Sequence, residues 1–119
     1  TKLTNNLEVI MEFERRFIGR GYVLGNCWGG GKCAYRSEQL VSENKESLLN
    51  VARRKIVDGS LDSGMGFESL IAAVIEVEEE ITTVINGDIF VCRKYDSAII
   101  GENVSESDEE FLLSLLDEF

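Results

Sequence analysis

Apolar residues recur at helical spacing in the N-terminal segment, residues 5–18. Asn5 and Glu8 have the spacing of a capping box, and Gly19 and Gly21 are typical stop residues. A strand is the alternative, because apolar and charged residues alternate between positions 9 and 13. We predict a helix here, with its apolar face formed by Leu7, Ile10, Met11, Phe17 and Ile18.

The C-terminal segment has a clearer helical pattern. Ser107 and Glu110 match a capping box, and acidic residues crowd the first turn. Leu112 and Leu116 lie one helical turn apart. We predict a helix whose apolar stripe, Phe111, Leu112, Leu115 and Leu116, packs against the sheet or another protomer.

A hairpin and a third helix are predicted between these ends. Residues 21–28 and 32–41 suit two strands joined by the glycines at 29–31. Asn44 is a suitable N-cap for a helix over 45–57, and Asp58-Gly59 would end it. Leu48, Leu49, Ala52 and Ile56 share one face of that helix.

The second half of the chain contains the strongest turn signal. Residues 60–66 suit a flexible loop. The pattern after it is ambiguous, since 67–74 favours the start of a helix and the β-branched run 81–85 favours a strand. Asn86-Gly87 then predicts a two-residue type I′ hairpin into the next strand.

These elements predict one α+β domain over residues 1–119. Two hairpins would contribute to a single antiparallel sheet, and two to four helices would cover it. At 119 residues the chain can bury a core without cross-links. The N-terminus has no basic-then-apolar leader and no apolar run suits a membrane span, so we expect a soluble, cytoplasmic protein.

Charge separates the C-terminus from the rest of the chain. The net charge is −10, and residues 102–119 carry seven of the 22 acidic residues but none of the 12 basic ones. The remaining chain therefore has a net charge of −3. Non-specific nucleic-acid binding is disfavoured, although a protein that imitates the charge of DNA is not.

The absence of histidine excludes several kinds of chemistry. Without it the chain lacks histidine-based triads, the usual neutral-pH acid–base group and most common zinc sites. Cys27 and Cys33 are too widely spaced for a zinc knuckle, and Cys92 stands alone. We expect three reduced, buried thiols, no metal and no cofactor.

The stretch NCWGGGKC, residues 26–33, has two interpretations. Gly29, Gly30 and Gly31 could bring backbone amides close to an anion, with Trp28 stacking on a base and Lys32 facing a phosphate. The alternative is a plain hairpin turn with Trp28 in the core.

The loop DSGMG, residues 62–66, allows a similar pair of interpretations. If a helix began at Phe67, its free amides would favour an anion beside Gly64 and Gly66. The alternative is a flexible connector. The sequence is not a P-loop, because G-x-x-x-x-G-K-[ST] is missing.

Basic residues form three clusters that could bind phosphate or could pair with surface acids. The clusters are Arg15, Arg16 and Arg20; Arg53, Arg54 and Lys55; and Arg93 and Lys94. We expect Arg20 and Lys32 to meet, since both flank the first hairpin. The acidic run Glu76, Glu78, Glu79 and Glu80 lacks calcium-loop spacing and suits a solvated, charged segment.

One resemblance adds a functional hypothesis. The segment GFESLIAAVIEVEEEITTVINGDIFVCRKY, together with NCWGGGKC, resembles the phage-encoded Thoeris anti-defence sponges of the first-described type, over residues 20–101. That resemblance implies a non-enzymatic homo-oligomer in the host cytoplasm, which sequesters a cyclic ADP-ribose-type signal made by TIR-domain enzymes.

The first hypothesis is therefore a module that binds a nucleotide-derived signal without cleaving it. Its predicted ligand-binding residues are Arg16, Arg20, Trp28, Gly29, Gly30, Gly31, Lys32, Gly64, Gly66, Phe67 and Arg93. The second is an acidic, DNA-mimicking or protein-binding inhibitor of a bacterial defence nuclease. A small carboxylate- or cysteine-dependent enzyme is the third, and the lack of histidine disfavours it.

Overall fold

The computed structural model describes residues 11–61 and 66–117. Its elements are β1 (Met11–Asn26), β2 (Lys32–Arg36), β3 (Leu40–Ser42), α1 (Lys45–Val57), β4 (Ser69–Ile85), β5 (Asp88–Ile100) and α2 (Glu106–Leu116). All five strands form one antiparallel sheet in the order β2-β1-β4-β5, and β3 pairs with β1 beside β2. The predicted α+β fold class is confirmed.

The prediction of an N-terminal helix is wrong where the structure describes the segment. Residues 11–18 belong to β1, while residues 5–10 lie outside the described chain. Phe17 and Ile18 point to opposite faces of the sheet, and both are buried. Because a strand covered on both faces can bury consecutive residues, its apolar pattern imitates that of a helix.

Gly19 and Gly21 lie inside β1 and do not end an element. A Cβ at Gly21 would stand 1.8 Å from the carbonyl oxygen of Val74, and one at Gly19 would meet the side chain of Leu48. These glycines are needed because a neighbouring backbone and a helix side chain approach β1 closely.

The proposed helical start at 67–74 is also wrong, because β4 runs without interruption from Ser69 to Ile85. Residues 72–75 are all buried. Ala73 and Ile75 pack on the α1 side of the sheet, whereas Ala72 and Val74 pack on the α2 side. Burial on both faces removes the alternation by which a strand is normally recognised.

Both predicted hairpins and the middle helix are confirmed. Ile85 pairs with Asp88 across Asn86-Gly87, whose φ angles of 51° and 88° suit a type I′ turn. The Asn44 Oδ1 accepts the backbone N–H of Ser47, which caps α1. The predicted second strand is split, because residues 37–39 separate β2 from β3.

The predicted C-terminal helix is also present, but its cap is wrong by two residues. Ser105, not Ser107, is the N-cap, and its hydroxyl accepts the backbone N–H of Asp108. Leu112 is buried against the sheet, and Leu115 and Leu116 pack beside it. Phe111 remains 46% exposed, so it does not belong to the buried stripe.

The sheet divides into two regions with different surroundings. We call residues 17–61, 66–77 and 98–117 the body, where α1 covers one face and α2 the other. We call residues 11–16 and 78–97 the arm, where β1, β4 and β5 continue beyond both helices. The long axis of the chain measures 68 Å against 26 and 24 Å across.

Candidate functional site

The predicted site residues occupy three separate places. Trp28, the three glycines and Lys32 form the turn between β1 and β2. Gly66 and Phe67 precede β4. Arg16, Arg20 and Arg93 follow one face of the sheet toward and along the arm. Gly64 lies outside the described residues. Among the described residues, the depressions that Arg16 and Arg20 line contain neither the turn residues nor Phe67.

The turn at 27–31 is a closed loop at the far end of the body. Cys27 and Cys33 are joined by a disulfide, with their Cα atoms 5.9 Å apart. The Cys27 N–H donates to the Gly31 carbonyl at 2.9 Å, and the Gly30 N–H donates to the Cys27 carbonyl at 3.1 Å. All three glycines have positive φ and open space around them.

Two sequence predictions about this turn are corrected. Trp28 is 72% exposed, so it is not a core residue. Cys27 and Cys33 are oxidised and half-buried, and Cys92 is exposed, so the expected set of three reduced, buried thiols is wrong. Close cross-strand pairing accounts for the disulfide, since Cys33 lies opposite Gly25 and next to the turn.

Lys32 faces an acid and not the arginines. Its Nζ lies 3.1 Å from both carboxylate oxygens of Asp108, in the first turn of α2. Lys32 pairs with Asn26 on β1, six residues from Arg20. That spacing corresponds to about 20 Å along a strand, so the predicted meeting of Arg20 and Lys32 is wrong.

Phe67 belongs to the packing of the body. Its ring lies against Gly25, where an added Cβ would stand 2.5 Å from Cδ1. It also meets the Tyr35 ring edge-on, with centroids 5.4 Å apart. Because β4, and not a helix, follows Phe67, the proposed helix terminus for binding an anion at Gly66 is absent from this part of the structure.

The arginines of the third group share the sheet face that α2 partly covers. Arg20 lies directly opposite Glu76, and Arg16 lies opposite Glu80. On the other side of β4, Arg93 lies opposite Glu80. Side chains directly opposite each other in a sheet share a face, so the three arginines and these glutamates form one polar band.

Ion pairs connect this band. The Arg16 Nε lies 3.0 Å from Glu80 Oε1, and Arg93 approaches Glu80 at 3.2 Å and Glu78 at 3.5 Å. Arg20 approaches Glu78 only at 3.8 Å. The glutamate side chains of these pairs are 13–15% exposed, so part of the acidic run is ion-paired and not the solvated segment that the sequence suggested.

A groove opens where this band meets the body. Its volume is about 310 Å³, and its lining residues are Arg20, Arg36, Glu76, Glu78 and Tyr95. The Arg36 guanidinium lies over the ring of Tyr22, 5.7 Å from its centroid. The groove therefore combines two guanidinium groups with aromatic surface, beside two carboxylates.

Sequence reasoning missed Arg36 and Tyr95 as site residues. Arg36 was part of no basic cluster, and Tyr95 followed Arg93-Lys94 without a distinctive motif. Only the register of β2, β1, β4 and β5 brings them to one face. A strand assignment for residues 11–26 would have been the signal, because alternation then places Arg16, Arg20 and Tyr22 together.

A larger depression of about 630 Å³ lies along the outer edge of β1 in the arm, next to the end of β3. Its lining includes Phe13, Arg15, Arg16 and Glu43. Its two guanidinium groups already have close carboxylate partners, because Arg15 lies 2.9 Å from Glu79 and Arg16 lies 3.0 Å from Glu80. No three metal-ligating side chains cluster within residues 11–61 and 66–117.

Comparison with known proteins gives no relative: no family model, no curated protein and no solved structure matches this chain. Of the two described helices, neither has the length and apolar content that a membrane crossing requires.

Proposed function

We propose that this chain binds and sequesters a small nucleotide-derived signal of the cyclic ADP-ribose type, without cleaving it, in the groove between body and arm. The observation that supports the proposal most directly is the convergence of Arg20 and Arg36 with Tyr95 in that groove. Its volume lies at the lower end of the range for small-molecule sites.

The chemistry of the groove suits phosphate. Guanidinium groups bind phosphate oxygens through paired, charge-assisted hydrogen bonds. Arg20 is half-exposed and its glutamate partner is distant, so a phosphate can take that place at little cost, since exposed pairs contribute about 1 kcal/mol or less. The aromatic ring of Tyr95, which is 59% exposed, offers a surface for an adenine.

The local charge also favours an anion over the surrounding surface. The band and groove contain four bases and three acids, which gives one net positive charge on a chain with a net charge of −10. These residues are Arg16, Arg20, Arg36, Arg93, Glu76, Glu78 and Glu80. Under this proposal the protein acts in the cytoplasm of the cell where the signal is made, as a homo-oligomer, and lowers the free signal by mass action.

Isothermal titration calorimetry with the cyclic ADP-ribose isomers tests this proposal. We expect Arg20→Gln and Arg36→Gln each to weaken binding at least about 10-fold, the loss of one charge-assisted contact. Arg53→Gln is the matched control, because Arg53 is equally exposed and pairs with Glu46 on α1, away from the groove. Its affinity should equal that of the wild type.

The bound molecule is then released by heat and weighed by mass spectrometry. Recovery of an unchanged isomer supports sequestration, whereas a hydrolysed product would make the protein an enzyme. If none of the isomers releases heat or raises the melting temperature, the proposal is wrong.

The acidic surface of α2 favours a second candidate, an inhibitor that imitates DNA or binds a defence nuclease. Asp108 pairs with Lys32, but Glu106, Glu109 and Glu110 are exposed and have no basic partner among the described residues. Replacing these three glutamates with glutamine should abolish inhibition of a target nuclease under this candidate. It should leave nucleotide binding unchanged under the first.

A further inference from the structure

The outer edge of β5 is an unpaired strand edge, and its properties do not depend on nucleotide binding. β5 pairs with β4 over its whole length, from Asp88 to Ile100, without a register shift. Within the described chain no strand pairs with its other edge. Edge strands are usually protected by a proline, a bulge, charged side chains or a covering element. β5 has no proline and no bulge, and its charged residues carry both signs, so an antiparallel second copy can oppose them with opposite charges and pair with its backbone groups.

Apolar side chains accompany this edge at its arm end. Ile89 is 69% exposed, Phe90 55% and Val91 48%. Ile89 and Val91 point to one face of the arm and Phe90 to the other, because side chains alternate along a strand. Neither face of the arm is covered by a helix, so these residues are exposed apolar surface beside an open edge.

An apolar groove lies at the opposite, body end of the same edge. It has a volume of about 240 Å³ and is formed where the end of α1 meets the end of β5, with Ile56, Val57 and Ile100 in its lining. Val57 is 77% exposed. Ile100 points to the α1 face of the sheet, as Phe90 does, since both positions are even in β5.

We propose that β5 pairs antiparallel with β5 of a second copy of this chain, with the two-fold axis at Tyr95. Each residue then lies opposite the partner residue at the same distance from position 95. Phe90 lies opposite the partner's Ile100 and enters its apolar groove, and Val91 lies opposite the partner's Ile99. The two sheets become one continuous sheet, and each groove is filled by the other chain.

Charge selects this register over its neighbours. Residues that share a face must lie opposite one another, so the axis passes through a residue. With the axis at Tyr95, Lys94 of each copy lies opposite Asp96 of the other copy, so the interface contains two pairs of opposite charge. An axis at Arg93 would set two arginines against each other, and an axis at Cys92 would oppose Asp88 and the partner's Asp96.

An axis at Val91 would also pair opposite charges, because Lys94 would lie opposite the partner's Asp88. That register aligns only the arm ends of the two strands. It leaves Phe90 opposite the partner's Cys92 and the Ile56–Ile100 groove empty. An axis at Lys94, the midpoint of β5, would pair the whole strand, but it would set two lysines against each other and place Phe90 opposite the partner's Ala98. The axis at Tyr95 pairs residues 90–100, opposes no like charges within that segment and buries both apolar regions.

Sedimentation equilibrium of the full chain tests the assembly. We expect a dimer whose dissociation constant rises at least about 30-fold in Phe90→Asp, the effect of losing an apolar anchor that fills the partner's groove. Phe111→Asp is the control, because Phe111 is similarly exposed but lies on α2. Circular dichroism confirms that both variants fold. A wild-type chain that stays monomeric, or a Phe90→Asp dimer of unchanged affinity, overturns the proposal.

Cysteine cross-linking tests the register. On a Cys92→Ser background, Tyr95→Cys should form a covalent dimer under mild oxidation, because two residues on the axis place their Cβ atoms about 5 Å apart. Val91→Cys should not. Cross-linking through position 91, or through Cys92 in the wild type, would overturn the axis at Tyr95.

Discussion

The two halves of β4 belong to one strand but have different surroundings. From Ala72 to Ile75 each side chain is 0% exposed, because α1 lies on one face and α2 on the other. From Glu78 to Ile85 no residue is fully buried, and strands alone flank them. The comparison of body and arm shows that a regular hydrogen-bonded register can continue well beyond the core that stabilises it.

The difference between body and arm predicts which positions tolerate substitution. In the body, stability depends on burial and on close approach of backbones. In the arm it depends on ladder hydrogen bonds and cross-strand pairs, each of which contributes less. The arm therefore has surface available for ligands and partners, and the proposed groove and dimer edge both use it.

The sharpest test of this contrast uses two glycines. Gly21→Ala should destabilise the body by more than about 4 kcal/mol or prevent folding, because the new Cβ would stand 1.8 Å from the carbonyl oxygen of Val74. Gly87→Ala, in the arm turn, should cost about 1–2 kcal/mol, since it has open space but a φ of 88°. Urea unfolding followed by circular dichroism measures both. Equal losses would contradict the contrast.

The test with the next largest expected effect compares substitutions of two isoleucines on the same face of β4. Ile75→Ala should lower the free energy of unfolding by about 3 kcal/mol, because Ile75 is fully buried between the sheet and α1. Ile81→Ala should cost about 1 kcal/mol, because Ile81 lies six residues along in the arm and is half-buried. The same unfolding experiment applies. A loss at Ile81 as large as that at Ile75 would mean that the arm is packed as tightly as the body.

In both the body and the arm, the sequence predicted some elements correctly and misassigned others. The helix α1, the Asn86-Gly87 hairpin and the β1–β2 turn were predicted because their signals are local: a cap, a type I′ dipeptide and adjacent glycines. Residues 11–18 and 69–74 were misassigned as helical, and Phe17, Ile18 and residues 72–74 within them are buried with side chains on both faces of the sheet. Their pattern reflects the tertiary contacts of the sheet with α1 and α2, which no single window contains.

The candidate site was also predicted only in part from the sequence. Arg16, Arg20 and Arg93 were predicted as ligand-binding residues, and the structure does place them on one face. Trp28 and Lys32 were grouped with them because they are close in sequence, but β1 carries them to the other end of the body. Arg36 and Tyr95 join the groove only through the register of four strands, which sequence spacing does not reveal.

A test with a smaller expected effect compares the hairpins at the two ends of the sheet. The body hairpin is closed by the Cys27–Cys33 disulfide, whereas the arm hairpin depends on its turn. Cys33→Ser should lower the free energy of unfolding by about 2 kcal/mol, since the closed loop is short. Thiol titration of the denatured, unreduced protein should detect Cys92 alone. Three reactive thiols would show that the hairpin is not covalently closed.

The smallest effect concerns the ion pair that joins arm to body. A hydrogen bond from Lys45 and the charge of its ammonium group hold the pKa of Asp96 below its ordinary value of 3.8. Because the pKa is lower in the folded chain than in the unfolded one, the pair stabilises the fold above pH 4 and loses that contribution as the pH falls through the folded pKa. Asp96 is fully exposed, so the effect on stability is small.

Nuclear magnetic resonance titration of the Asp96 carboxyl measures this directly. The wild-type midpoint should lie below 3.8, and Lys45→Met should raise it toward that value, because both the donor and the positive charge are removed. Lys55→Met is the matched control. Lys55 lies in the last turn of α1 and pairs with Glu38, so its loss should leave the Asp96 midpoint unchanged. If Lys45→Met leaves the midpoint unchanged, the start of α1 does not hold the arm, and the boundary between the two regions lies closer to Ala98.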